Sequence, residues 1–217
     1  RQTDPAGNIS DTGALGEVYY GRARSIRRSG IPDWSLGFIE AGGGAFRDMG
    51  VHVLDAAWWL LGMPKPVSVS GVGGAKFGPR GQGYWHYRTP PEDYYRRYKA
   101  DDYAGGFIRF ADGTGLQVES FWASHQPEEL QIELFGTEAG AQLRPLTLYR
   151  TVNQAPQDIK VELPEDPLGR ERIIYHFIAC ILDGEPCEAP LRHGLIVQRM
   201  MEAMLKSAET GEEMRLA

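Results

Sequence analysis

The chain has 217 residues, enough for one large domain or two small ones around a substantial core. Its 23 Lys and Arg stand against 29 Asp and Glu, a net charge of −6, which leaves no phosphate-neutralising surface overall and excludes nucleic acid as an expected partner. No apolar run approaches the ~20 residues of a membrane span, and two cysteines are too few for a disulfide framework, so Cys180 and Cys187 read as a reduced pair in a cytoplasmic chain.

In chain order, residues 1–14 are polar and rich in turn formers and read as a tail or linker remnant. No leader is visible, although the chain starts at Arg1, so a processed one would already be gone. Leu15 to Arg27 reads as a strand, and Ser29 to Gly44 as a loop carrying Trp34 and a glycine triplet. The stretch GGGAFRDMGVHVLDAAWWLLG, Gly42 to Gly62, then predicts a helix that is apolar on nearly every face and therefore buried. At ~100° per residue, Asp48, His52, Asp55 and Trp59 share one narrow stripe. Ionisable groups on a buried helix must pair, shift their pKa or open onto a cleft, and the cleft is the reading taken.

Pro66 to Val72 alternates as a strand. Gly73 to Asp101 is a long irregular segment whose density of Tyr and Trp argues against disorder. Gly106 to Ala111 and Thr114 to Ala123 form a hairpin at Asp112-Gly113. Leu130 to Phe135, Gln142 to Val152 and Ile159 to Leu163 follow as strands, and Leu168 to Asp183 and Leu191 to Thr210 as helices. Residues 15–217 are thus expected to form one α+β domain, with a large, mainly antiparallel open sheet and helices packed on one face. No dinucleotide fingerprint is found: Gly71-Val72-Gly73 has Lys76 where the third glycine would stand.

The chemistry is expected on the stripe. A carboxylate beside an imidazole fixes its orientation and raises its basicity, and such a histidine is a good general acid/base. The glycines would let another chain or a ligand approach the helix start, which itself suits anions. A satisfied buried histidine with a helix-capping aspartate fits the same spacing. A divalent ion is a further option, though the spacing is no recognised zinc motif and no metal ligand is assigned. Tyr84, Trp85 and the tyrosines after them, with nearby arginines, suit a polyol or a protein partner, or simply fold over their own core. Arg24 could meet an anionic group or be a solvated surface side chain. His86, His125, His176 and His193 receive no role.

The Gly42 to Gly62 stretch, glycine-rich, then D-x-x-x-H, then W-L-L-G, closely resembles the central motif of the glucose–fructose oxidoreductase, inositol dehydrogenase and MocA (Gfo/Idh/MocA) family. TGALGEVYY, DDYAGGFIRFADGTGLQVESFWA, ELFGTEAGA and LKSAETGEEMRL look like the same family's C-terminal half. The resemblance implies a partner Rossmann domain binding NAD or NADP, hydride transfer at a carbinol or carbonyl carbon of a sugar, inositol or polyol, and a homo-oligomer paired through the open sheet face. It implies His52 as catalytic acid/base, Asp48 as its acidic companion and Asp55 as a substrate contact. With them, Trp34, Arg24, Tyr84 and Trp85 make up the expected substrate site. The family's catalytic lysine, in an E-K-P motif, belongs to the Rossmann half, and neither occurs in this sequence. No cofactor is therefore expected on this chain alone. The rival expectation is a non-catalytic polyol-binding or assembly module.

Overall fold

The computed structural model describes residues 13–163, 169 and 171–216. One nine-stranded sheet runs through the domain in the order β8-β7-β6-β5-β1-β4-β3-β2-β9. The strands are β1 (Val18–Ile26), β2 (Pro66–Gly74), β3 (Tyr103–Phe110), β4 (Gly115–Phe121), β5 (Glu129–Gly136), β6 (Gly140–Leu143), β7 (Leu146–Val152), β8 (Ala155–Lys160) and β9 (Met214–Arg215). Every pairing is antiparallel except β1 with β4 at the centre.

Period-two alternation decides which side chains meet the helices. On β1, Gly21, Ala23 and Ser25 are buried, whereas Tyr20, Arg22 and Arg24 point to the opposite, open face. Helix α2 (Val51–Leu60) and helix α5 (Leu191–Thr210) cover the first face. The main core lies between them and the sheet, with Leu54, Trp58, Ile108, Leu116, Val118, Met200 and Met204 among its members. Close approach of α5 depends on Gly71, where a Cβ would meet the Met204 carbonyl oxygen at 2.5 Å. The Ser207 hydroxyl accepts the Gly71 N–H at 2.8 Å there.

A smaller core sits under the loops at one side of the sheet. It gathers Ile31, Ile39, Ala45, Tyr84, Tyr98, Ala100, Trp122 and Ala123. The short helices α1 (Leu36–Ile39) and α3 (Glu92–Tyr95) belong to the loops around it. Asp102, fully buried, accepts the backbone N–H groups of Lys76, Phe77 and Gly78 at 2.7–3.0 Å and ties the aromatic segment to the start of β3.

Several sequence expectations need correction. The run Gln142 to Val152 is two strands, not one, because Pro145, which has no N–H to give a ladder, interrupts it. β8 starts at Ala155 rather than Ile159, since Asn153 and Gln154 adopt left-handed conformations and close a two-residue hairpin. The two-residue β9, too short for a periodic signal, pairs with β2. Helix α4 (Glu171–Leu182) has none of its side chains buried, so it does not pack on the sheet as expected. The tail expectation for residues 1–12, and Leu168 and Arg170 of the expected helix, lie outside the described residues.

Candidate functional site

Two glycines of the triplet, Gly43 and Gly44, are filled against by the chain's own groups, whereas Gly42 has open space beside it. A Cβ on Gly43 would lie 1.9 Å from the Phe38 carbonyl oxygen, and one on Gly44 would lie 2.0 Å from the Asp101 carboxylate. Asp101 accepts the Phe46 N–H at 2.9 Å, satisfying a donor that helix geometry orphans. Burial pushes the Asp101 carboxyl above the ordinary carboxylate range, against the lowering effect of that hydrogen bond.

The chain then makes a π-helical turn, Phe46–Gly50, before α2 proper. Such turns close i→i+5 bonds and are wider than the α-helix, so Asp48 does not sit in an ordinary α-helical first turn. Asp48 instead accepts a 2.9 Å hydrogen bond from the indole N–H of Trp122, whose ring is fully buried. The helix-capping alternative for Asp48 is therefore replaced by a tertiary contact.

Helix α2 itself is one-sided, not buried all round. Val53, Leu54, Ala57, Trp58 and Leu60 face the core, while His52, Asp55 and Trp59 are exposed. The expectation of a buried imidazole is thus overturned; the half of the helix that bears the stripe has no covering layer among the described residues. Asp55 stands between two imidazoles. Partial desolvation raises its carboxyl pKa, and the nearby charges of His193 and His52 pull it back down. His193, on α5, also meets the Trp58 ring edge-on at 5.7 Å.

A continuous series of ring contacts leads from Asp48 to the other expected residues. Trp122 meets Phe38, Phe38 meets Trp34, and Trp34 meets Trp85, with ring centroids 5.7–6.4 Å apart. Arg27 closes the circuit. Its guanidinium lies 5.0 Å from the Trp85 ring centroid and one of its nitrogens lies 3.2 Å from the Met49 sulfur in the π turn. Trp34 is 60% exposed and so borders this surface as an accessible aromatic face.

Two expected residues are not brought to it. Tyr84 is fully buried, and its hydroxyl donates to the Gly78 carbonyl, so it belongs to the smaller core. Arg24 points to the opposite face of the sheet, where it pairs with Glu133 at 2.8 Å and Glu129 at 3.0 Å. Trp122 and His193 were not anticipated. Both come from distant segments, and only Trp122 carries a hint, an amphipathic ring at the end of a strand. A concavity of about 520 Å³ lined by Gly42, Arg47, Lys99, Asp101 and Glu202 does not include His52, and its Arg47 is already paired with Glu202 at 3.0 Å.

Comparison with known proteins gives a family and a set of relatives. Residues 6–142 match the model of the GFO/IDH/MocA C-terminal domain. D-glucoside 3-dehydrogenase of Escherichia coli strain K12 is 32% identical over 212 residues, covering 94% of this chain and 58% of that enzyme. An oxidoreductase domain protein from Kribbella flavida superposes with a TM-score of 0.76 at 19% identity, over 98% of this chain and 62% of that one. Levoglucosan dehydrogenase, solved with NADH and levoglucosan, gives a TM-score of 0.73 at 20% identity, over 97% of this chain and 61% of that one. The chain spans about three-fifths of the length of these relatives.

Proposed function

Because the chain belongs to the GFO/IDH/MocA family and carries its C-terminal domain, we propose that it is the substrate-binding and oligomerisation domain of a cytoplasmic NAD(P)-dependent oxidoreductase acting on a sugar, an inositol or a related polyol. The observation that carries this reading is the exposed group His52, Asp55 and Trp59 on a helix whose other residues make the core. NAD or NADP, held outside this chain, would take or supply the hydride. His52 holds or releases the proton of the reacting hydroxyl, and its exposure gives it direct access to substrate. Asp48, fixed by Trp122, is its acidic companion. Asp55 accepts substrate hydroxyl hydrogen bonds, and Trp34 and Trp85 offer ring faces to the C–H side of a sugar.

In the complete protein, His52→Ala should lower kcat by at least ~10²-fold, the range of a lost acid/base. An unchanged kcat would remove His52 from the mechanism. A second reading, an assembly module without turnover, draws on the exposed Ile173, Ile174, Phe177 and Ile181 of α4. A stable oligomer that stays inactive after addition of a matching Rossmann fragment would favour it.

A further inference from the structure

The chain after the sheet holds a cluster that the proposed function does not use. His176 and Cys180 lie one turn apart on α4, and Cys187 follows in the connection to α5. The connection folds back on the helix instead of leaving it. Gly184 takes a left-handed conformation, the Asp183 N–H donates to the Ala179 carbonyl at 2.9 Å, and the Glu188 N–H reaches the His176 Nε2 at 3.1 Å. That fold-back carries Cys187 to Cys180, and a ring nitrogen of His176 and both Sγ atoms lie within 4.8 Å of one another.

We propose that His176, Cys180 and Cys187 bind one zinc-class divalent ion, with the fourth position open to water or an added ligand. Zn–N and Zn–S bonds of about 2.0 and 2.3 Å at a tetrahedral angle put nitrogen and sulfur roughly 3.5 Å apart. The Cys180 Sγ to His176 Nε2 distance is 3.5 Å. Accepting the Glu188 N–H requires an unprotonated Nε2, the form a metal needs. An ion would take over that lone pair and free the Glu188 N–H to donate to a bound thiolate. Two thiolates and an imidazole select a soft or borderline cation over magnesium or calcium. The helix C-terminus adds its negative dipole end, and both sulfurs are accessible enough for an ion to enter. Bound metal would clamp the end of a helix that buries none of its side chains.

The test uses the full chain, reduced, stripped with chelator and kept under inert gas. Cobalt(II) titration should saturate at one equivalent with a thiolate-to-cobalt charge-transfer band, and zinc should displace it. Cys180→Ser, Cys187→Ser and His176→Ala should each weaken binding by on the order of 10²-fold, while His125→Ala changes nothing. Zinc should also slow amide hydrogen exchange across residues 183–188. The variants should keep the circular dichroism of the unaltered chain, because α4 contributes nothing to the core. Absence of the thiolate band overturns the proposal. Equal affinity in the Cys180→Ser/Cys187→Ser double variant overturns it too, as does a Cys180–Cys187 disulfide that persists when zinc and reductant are present.

Discussion

Trp122 shows how much a single tertiary contact decides at this site. Its indole N–H is sealed from solvent and has the Asp48 carboxylate as partner. Asp48→Ala would leave a buried donor unsatisfied and should cost about 1–3 kcal/mol in urea unfolding, whereas Asp48→Asn keeps an acceptor and should cost much less. Equal losses in the two variants would mean that the hydrogen bond is not what Asp48 supplies. Asp101 gives a pH prediction. Its carboxyl is raised above 3.8 in the folded state, so the folded chain holds that proton longer than the unfolded one. The contribution to stability is therefore greatest below that range and falls as pH rises through it. Asp101→Asn should make the fall in unfolding midpoint between about pH 4 and neutrality shallower; an unaltered slope would count against it. The residues of the stripe were legible because helical spacing is local. Their partners Trp122 and His193 were not, because nothing in a linear pattern announces a neighbour from another segment.

At the scale of elements, α2 and its entry illustrate what periodicity does and does not convey. The apolar content of Gly42 to Gly62 predicted a helix, and one forms, but content alone could not say that one side would face outward. The π turn is equally silent in the sequence, since a five-residue widening leaves no mark on a 3.6-residue period. Gly44 has φ 122° and no room for a Cβ beside Asp101, so Gly44→Ala should destabilise the domain by at least about 1–3 kcal/mol. A thermal midpoint equal to that of the unaltered chain would show that Asp101 can move away. The strands were readable wherever alternation ran for several residues. They were misjudged where Pro145 or the Asn153-Gln154 turn overrode it. Helix α4 was legible as a helix but not in its packing, because an amphipathic pattern shows that a face wants cover without naming what covers it.

At the scale of the molecule, the sheet has one face under α2 and α5 and one face open. The open face carries stacked pairs, Tyr20 with Phe107 at 5.9 Å and Tyr103 with Phe121 at 5.6 Å, together with the 66%-exposed Val72. If two copies pair through this face, as the family resemblance implies, Val72→Asp should shift the chain toward monomer in size-exclusion chromatography. A dimer of unaltered stability would place the contact elsewhere.

The parallel pairing at the centre of the sheet has a consequence for synthesis. β1 precedes the other strands of this sheet in the sequence, yet its partners begin at Gly115 and Glu129. β2–β3–β4 and β5–β8 can each zip up from neighbours in sequence, whereas β1 waits, edges bare, for the segments that will flank it. Until it is seated, each half ends in an unpaired strand, and a ribosome pausing between residues 30 and 115 would present the cell with a template for misassembly.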